Sequence, residues 1–176
     1  MKRQRKKYKR PKILWSKERI EREKGLSRAF GLRRNMEVWK TETLLRKYRR
    51  LARKLATMRN EKTEKDLVRR LADLGILKET ASLDDVLGLT VKDILERRLQ
   101  TRVHRLGLAN TPMHSRQLIV HGHVLVGGRK ITYPSYMVSK EEEGQIKVLP
   151  QKERMRAESG EKSGEKKEAE KDGKSG

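Results

Sequence analysis

The chain has 176 residues and carries 46 Lys and Arg against 24 Asp and Glu, a formal net charge of +22. Such an excess disfavours a compact fold unless a polyanion neutralises it, and phosphate backbones do so by releasing condensed counterions, so the composition indicates a nucleic-acid-binding protein. The lack of cysteine excludes disulfides, thiol catalysis and cysteine-based zinc fingers, and the sequence shows neither a membrane-spanning apolar run nor a signal peptide, which predicts a soluble intracellular protein.

The positive charge is concentrated in the N-terminal third. Residues 1–60 contain 23 basic and 5 acidic side chains, whereas residues 61–150 contain 15 and 12. Residues 1–15 are too charged and too poor in apolar groups to order alone, so we predict a disordered basic arm there. The Glu, Lys, Ser and Gly repetition of residues 151–176 likewise predicts a disordered tail.

A helical region is predicted over residues 16–89, and its first helix begins at Ser16. Ser16 is a good N-cap, and Glu18 lies in the first turn, where a negative charge is favourable. Gly25 and Gly31 are expected to interrupt this helix. The aromatic residues of the region are expected to pack against one another rather than to stack on bases. They are Trp15, Phe30 and Trp39.

The segment from about Thr41 to Met58 is predicted to be an amphipathic helix, because apolar residues recur there at spacings of four, three and four. Its other face is strongly basic. Such a face could also suit a calmodulin-type or membrane-surface helix, but it lacks the Trp and Phe bulk that these roles favour. The apolar face is Leu44, Tyr48, Leu51 and Leu55, and the basic face is Arg46, Lys47, Arg49, Arg50, Arg53 and Lys54.

Two shorter helices complete this region. Leucines at helical spacing predict one helix over about residues 62–74, with Gly75 placed to end it. One further helical turn is predicted over residues 82–89, with Ser82 as its cap.

Residues 90–150 are predicted to form the main α+β domain, which begins with a helix from Thr90 to Gly107. Thr90 is a good N-cap, and Asp93 three residues later completes a variant of the capping box. One face of this helix is apolar, and a second stripe about a quarter turn away presents three guanidiniums. That stripe is either a solvated face or an RNA contact. The apolar residues are Leu95, Leu99, Val103 and Leu106, and the guanidiniums are those of Arg98, Arg102 and Arg105.

The next helix and a β-hairpin follow directly. Thr111 as N-cap and Pro112 at the first helical position are a strong start signal, and the helix is expected to end at His121-Gly122. Residues 124–126 and 131–133 are strand-like and are joined through Gly127-Gly128, which suits a tight turn. Residues 146–149 predict a third strand.

Two clusters in this domain have competing interpretations. His121-Gly122-His123 could suggest a metal site, but a His-X-His pair without cysteine or carboxylate ligands is weak, so we expect His121 to contact a phosphate, stack or cap the helix. Glu141-Glu142-Glu143 could suggest catalytic carboxylates. The segment is a predicted loop without a nucleophile or base pattern nearby, so we interpret it as serving solubility or as turn composition.

Several short motifs, in order and at matching spacing, resemble the RNA-binding domain of the ribosomal protein S four family. The match covers about residues 95–150, and the N-terminal region, including Tyr8, Pro11, Trp15 and Thr43–Arg50, is similar to the archaeal form of that family. The motifs are Glu96-Arg97-Arg98-Leu99, Arg105-Leu106-Gly107, Ser115-Arg116-Gln117-Leu118-Ile119, His121-Gly122-His123-Val124, Val126-Gly127-Gly128-Arg129 and Pro134-Ser135-Tyr136.

This resemblance implies a helix–helix–β-hairpin module, the alpha-L motif, in a structural protein of the small ribosomal subunit. It further implies binding to the 5′ domain of small-subunit rRNA early in assembly, beside other small-subunit proteins and near the side where mRNA enters. Ser115 stands where the family often has Ala, and Gly127 where the turn commonly has Asn. Neither change threatens this interpretation, and without cysteine the zinc site of some bacterial members is absent.

Two other functions remain as alternatives. Such modules also occur in RNA-modifying enzymes, but those carry a large catalytic domain, so we expect no enzyme, cofactor, metal or small-molecule substrate here. A free RNA chaperone or general nucleic-acid binder would also fit the basic arm. The candidate RNA-binding residues are Arg3, Arg5, Lys6, Lys7, Arg46, Lys47, Arg49, Arg50, Arg53, Arg98, Arg102, Arg105, Thr111, Arg116, Gln117, His121, Gly122, His123, Arg129 and Lys130.

Overall fold

The computed structural model describes residues 6–13, 15–58 and 61–149, and these form eight helices and a three-stranded sheet. The predicted α+β class is therefore confirmed, while the predicted disorder of the tail concerns residues outside the described ranges. None of the described helices is long and apolar enough to cross a membrane. The elements are α1 Lys17–Phe30, α2 Asn35–Met58, α3 Glu61–Asp73, α4 Leu83–Gly88, α5 Val91–Glu96, α6 Leu99–Arg105, α7 Pro112–Val120, β1 Val124–Val126, β2 Arg129–Lys130, α8 Lys140–Glu143 and β3 Ile146–Val148.

The first two helices are longer and less interrupted than predicted. Gly25 lies inside α1 instead of breaking it, and only Gly31 ends the helix. The packing of α1 against α2 outweighs the weak helix propensity of a single glycine. Helix α2 begins at Asn35 rather than near Thr41, because Val38 extends its buried face by a further turn.

Part of the basic arm is ordered against α2. The Tyr8 hydroxyl donates to Met36 Sδ at 3.0 Å, and the Tyr8 ring lies 5.9 Å from that of Trp39. Residues 6–13 contain no helix or strand, and these contacts tie this part of the arm to α2, which agrees with the expectation that the arm does not order alone. Trp39 packs as predicted, whereas Trp15 is 89% exposed and does not.

The helical region encloses two apolar clusters. The larger one joins α2, α3, α4 and α5 through Leu45, Leu71, Val86 and Ile94. A smaller cluster around Phe30 ties α1 to α5 and confirms the predicted packing of that ring. Leu51, predicted for the buried face of α2, is 37% exposed, and the neighbouring Ala52 is buried in its place.

The predicted single helix from Thr90 to Gly107 is divided into α5 and α6 at Arg98. Arg98 has an extended backbone and forms an isolated antiparallel β-bridge with Met137. Leu99 N donates to Tyr136 O at 2.8 Å beside this bridge. These tertiary hydrogen bonds outweigh local helix propensity. The break also rotates the apolar stripe, so that Leu106 is 44% exposed.

The three strands form an antiparallel sheet in the order β2-β1-β3. Gly127 and Gly128 both have positive φ, and Val126 pairs with Arg129 across them, so the predicted two-residue turn is confirmed. This register starts the second strand at Arg129, and the prediction of residues 131–133 as its body is wrong. The predicted third strand is confirmed as β3.

The sheet and helices α6 and α7 enclose the core of the C-terminal half. Val124 and Val126 of β1 are buried against Val103 and Ile119, so the sheet covers the two helices. The short helix α8 was predicted as loop. A capping box between Ser139 and Glu142 forms it, and this arrangement uses part of the acidic run that the sequence suggested was turn composition.

Candidate nucleic-acid interface

Helix α2 presents the largest group of predicted cations. Arg46, Lys47, Arg50 and Arg53 are exposed along one side of the helix, as its periodicity predicts. Arg49 differs, because its Nη2 donates to the carbonyl oxygen of Leu89 at 2.5 Å and thereby ties α2 to the end of α4. The structure thus leaves four of these five predicted contacts available to a polyanion and uses Arg49 internally.

The predicted stripe of three guanidiniums on α6 does not exist as one exposed surface. The side chain of Arg98 is only 4% exposed, and its Nη2 lies 2.5 Å from Glu37 Oε2. Arg98 therefore joins α2 to the start of α6. Its predicted role as a direct RNA contact does not agree with this burial, which follows from the break between α5 and α6.

The other two members of the stripe have different surroundings. Arg102 forms an ion pair with Glu143, and its side chain is 21% exposed. Burial, together with the neighbouring charge of Arg97, lowers the pKa of Arg102. Arg105 is 62% exposed and lies 3.7 Å from Glu96, a distance at which an exposed pair contributes little. Of the three, Arg105 is the one that a phosphate could reach freely.

Two carboxylates of the acidic run in α8 contact side chains from other parts of the chain. Arg97 Nη1 lies 2.9 Å from Glu143 Oε2, and Arg97 Nη2 donates to Val138 O at 3.1 Å. Tyr136 donates its hydroxyl proton to Glu142 at 2.7 Å, and this hydrogen bond raises the pKa of Tyr136. The interpretation of this run as mere turn composition is therefore wrong. Two of its carboxylates have specific partners.

Arg116 lies at the contact between α7 and α2. Its Nη2 is 3.1 Å from Glu37 Oε1 and its Nη1 is 3.3 Å from Glu37 Oε2, a two-point ion pair. Burial alone would raise the pKa of Glu37, but the hydrogen bonds from Arg116 and Arg98 outweigh it and hold this pKa below its usual range. With 20% of its side chain exposed, Arg116 is bound from one side and open to solvent on another.

Gln100 is a buried polar residue at the same contact. Its Nε2 donates to Gly31 O at 2.8 Å and to Pro112 O at 2.9 Å, and it also lies 3.2 Å from Phe30 O. Arg116 Nη1 in turn lies 3.4 Å from Gln100 Oε1. The side-chain amide of Gln100 thus connects the end of α1 with the start of α7, and its oxygen contacts the guanidinium of Arg116.

The end of α7 and the hairpin bring a second group of predicted residues together. His121 is exposed at the C-terminus of α7, and Lys130 of β2 lies directly over Gly122, where a Cβ would overlap its side chain. Arg129, the preceding residue of β2, is also exposed, and the alternation of side chains along a strand places it on the opposite face of the sheet. Gln117 is exposed one turn earlier on α7. Lys130 and the exposed His121 therefore lie together where α7 meets the hairpin.

Six further predicted residues have other settings. The ring of His123 is 7% exposed and stacks on that of His121 with centroids 6.2 Å apart, so His123 is part of the interior. The hydroxyl of Thr111 accepts the backbone N–H of His114 at 3.1 Å, which confirms Thr111 as N-cap of α7. Lys6 and Lys7 are exposed, whereas Arg3 and Arg5 lie outside the described residues.

Sequence reasoning did not single out Glu37 and Gln100, and it noted Glu143 only as part of an acidic run, without its arginine partners. Their partners are distant in sequence, by 61 residues for Glu37 and Arg98 and by 46 for Glu143 and Arg97. No local spacing signals such pairs. Within the described ranges, no group of three or more His, Cys, Asp and Glu side chains could hold a metal ion.

Comparison with known proteins gives one family. An S4 domain matches residues 97–143. The chain is 51% identical over 152 residues to small ribosomal subunit protein uS4 of Hyperthermus butylicus, which covers 85% of this chain and 86% of that protein. It is 48% identical over 149 residues to the same protein of Ignicoccus hospitalis, covering 83% and 90% of the two chains. It is 49% identical over 149 residues to that of Methanothermobacter thermautotrophicus, covering 83% and 87%.

Proposed function

The chain belongs to the uS4 family of small ribosomal subunit proteins, and from this membership we propose that it is a structural constituent of the small subunit that binds ribosomal RNA and is not an enzyme. The observation that carries the proposal is the placement of exposed cations on two parts of one fold. Helix α2 presents Arg46, Lys47, Arg50 and Arg53, and the second strand of the hairpin presents Arg129 and Lys130.

The two groups are suited to different tasks. Long flexible cations on α2 neutralise phosphates and give salt-dependent, sequence-independent affinity. The hairpin cations stand on a strand that pairs with the buried strand β1, so their backbone is held in place, which is suited to the shape of a folded RNA junction. We propose that α2 supplies most of the affinity, and that α7 and the hairpin determine where the protein sits.

The burial of individual side chains refines the set of contact residues. We propose direct RNA contacts for the exposed members and for the open side of Arg116. Arg49, Arg98 and His123 are proposed to support the fold instead, because internal partners or burial occupy them. Arg102 is 21% exposed and paired with Glu143, much as Arg116 is 20% exposed and paired with Glu37, so Arg102 is proposed to contact RNA from its open side as well. The contact set is Lys6, Lys7, Arg46, Lys47, Arg50, Arg53, Arg102, Arg105, Thr111, Arg116, Gln117, His121, Arg129 and Lys130, together with Arg3 and Arg5, which lie outside the described residues. Gly122 is buried beneath Lys130 and is left out of the set.

The finer assignment concerns the place of binding. We propose that the chain binds the 5′ domain of small-subunit rRNA early in assembly, beside other small-subunit proteins and near the side where mRNA enters, in the cytoplasm. We further propose that residues 16–89 and 90–150 act as two RNA-binding regions, with residues 1–15 and 151–176 as charged extensions. The family resemblance of the motifs between Glu96 and Tyr136 supports this assignment.

Co-sedimentation with purified small ribosomal subunits tests the structural role. A constituent of the subunit combines fixed-geometry contacts with electrostatic ones, so it is expected to pellet with subunits after a high-salt wash. Release at moderate salt would contradict the proposal and favour the alternative of a free RNA chaperone, since purely electrostatic binding weakens steeply with salt. The basic face of α2 is the observation that would support that alternative.

A further inference from the structure

We propose that Glu37 of α2 is a positioning residue for RNA binding, which acts by holding Arg116 of α7 in the orientation that meets a phosphate. This inference rests on the proposed function, because it requires that Arg116 contact RNA. Glu37 would thus contribute to RNA binding from the helical region, although a carboxylate by itself repels RNA.

The geometry is that of a fixed guanidinium. Both oxygens of Glu37 contact Arg116, at 3.1 Å and 3.3 Å, and Gln100 Oε1 adds a third contact at 3.4 Å. A two-point pair fixes the plane of a guanidinium as well as its position. A free arginine would lose considerable side-chain entropy when it met a phosphate. In this structure the side-chain entropy of Arg116 has already been lost on folding, so its loss does not reduce the affinity for RNA.

The carboxylate is itself held in place from two other directions. Arg98 Nη2 lies 2.5 Å from Glu37 Oε2, and Arg33 N donates to Oε1 at 3.3 Å. The side chain of Glu37 is 15% exposed. Glu37 therefore lies between the buried guanidinium of Arg98 and the partly exposed guanidinium of Arg116. If the carboxylate turned away, the buried charge of Arg98 would lose its counter-charge.

The charge count of this cluster agrees with phosphate binding. Arg98 and Arg116 bring two positive charges to the single negative charge of Glu37. The buried charge of Arg98 is thus balanced by Glu37, and the excess positive charge lies on Arg116, the member that is 20% exposed. A phosphate approaching this side meets a net cation of fixed orientation rather than a neutralised pair.

The alternative is that Glu37 competes with phosphate for Arg116, and the two accounts predict opposite signs. Glu37→Gln removes one negative charge. If Glu37 only competed or repelled, the variant would bind RNA more tightly. If Glu37 positions Arg116, the variant is expected to bind a transcript of the 5′ domain of small-subunit rRNA about tenfold more weakly, the equivalent of one charge-assisted hydrogen bond.

The experiment is a filter-binding titration of the full chain at one fixed salt concentration. Glu42→Gln is the matched control, because Glu42 lies on the same helix outside this cluster and its substitution changes the net charge equally. The control is expected to bind the transcript at least as tightly as the unmodified chain. Loss of affinity in Glu37→Gln but not in Glu42→Gln supports the proposal, and equal or tighter binding by Glu37→Gln overturns it.

A double-mutant cycle separates positioning from general damage to the fold. Arg116→Ala alone is expected to weaken binding, and adding Glu37→Gln to it is expected to have no further effect. If the second substitution weakens binding as much in the Arg116→Ala background as alone, Glu37 does not act through Arg116 and the proposal is wrong. If Arg116→Ala itself binds normally, the RNA contact assigned to Arg116 under the proposed function fails instead.

Folding is checked by circular dichroism and by thermal melting of each variant. If Glu37→Gln does not fold, Glu37→Asp takes its place in the same cycle. Asp preserves the charge and withdraws the carboxylate from Arg116 by one methylene. If Glu37→Asp folds and binds RNA more weakly than the unmodified chain, but causes no further loss when Arg116 is already Ala, the positioning role is supported. If Glu37→Asp binds RNA as tightly as the unmodified chain, the proposal is overturned.

Discussion

The guanidinium of Arg97 lies directly against Gly75, the second residue after the end of α3. A Cβ placed on Gly75 would come within 2.8 Å of Arg97 Cζ, and Gly75 has a φ of +66°. From this position Arg97 reaches Val138 and Glu143. The glycine that ends a helix of the N-terminal region thus leaves space for the arginine that joins this region to α8.

Substitution of Gly75 by Ala is expected to destabilise the chain by about 1–3 kcal/mol, since the left-handed backbone and the displaced guanidinium both oppose a Cβ. The measurement is urea unfolding followed by circular dichroism. Gly25→Ala is the control: Gly25 lies inside α1 with no atom near the added Cβ, so this variant is expected to be more stable by about 0.5–1 kcal/mol. Equal shifts in the two variants would contradict the assigned contact.

Replacement of Gln100 by Met is expected to destabilise the fold by about 1–3 kcal/mol, because the buried carbonyls of Gly31 and Pro112 lose their donor while the side-chain volume changes little. Thermal melting measures the effect. Gln117→Met, on the exposed side of α7, is expected to stay within about 0.5 kcal/mol of the unmodified chain. A Gln100→Met variant as stable as its control would show that these hydrogen bonds contribute little.

The stability contributed by Glu37 is expected to depend on pH. The pKa of Glu37 is lower in the folded chain than in the unfolded one, so the folded state binds fewer protons. This stabilisation is fully present above the unfolded value of about 4.3 and is lost as pH falls through the folded pKa. The difference in unfolding free energy between the unmodified chain and Glu37→Gln is therefore expected to be constant near neutral pH and to shrink in acid. If this difference in unfolding free energy stayed constant down to acid pH, it would contradict a stabilising role of the ion pairs of Glu37.

The basic face of α2 is expected to determine the salt dependence of RNA binding. Replacing Arg46, Arg50 and Arg53 together by Ala is expected to reduce the slope of log affinity against log salt by about 2–3, since each neutralised phosphate contributes about 0.7–0.9. Titrations at several salt concentrations measure this slope. The control is the triple Ala variant at the exposed residues Lys62, Arg69 and Arg70 of α3, which lie outside the proposed set. An equal reduction in both variants would show that the effect is one of net charge alone.

Local signals in the sequence predicted local structure well. Ser82, Thr90 and Thr111 begin helices as their capping patterns indicate, and the Gly127-Gly128 turn joins two strands. These features depend on residues within a few positions of one another, so the sequence shows both partners. The class of the fold follows from them.

Long-range pairing could not be predicted in this way. The break at Arg98 depends on a bridge to Met137, and the burial of Arg98 depends on Glu37, 61 residues earlier. The spacing of Arg98, Arg102 and Arg105 indicates a cationic stripe, but it does not show which guanidiniums have internal partners. The division of the chain at residues 15, 89 and 150 stays a prediction.

The most direct test of the central claim is a chemical footprint of the purified chain on full-length small-subunit rRNA. We expect protections confined to the 5′ domain at near-stoichiometric protein, and their loss in a variant with Arg116 and His121 both replaced by Ala. Protections spread evenly over the rRNA, or concentrated in another domain, would contradict the proposal that this fold recognises one RNA structure.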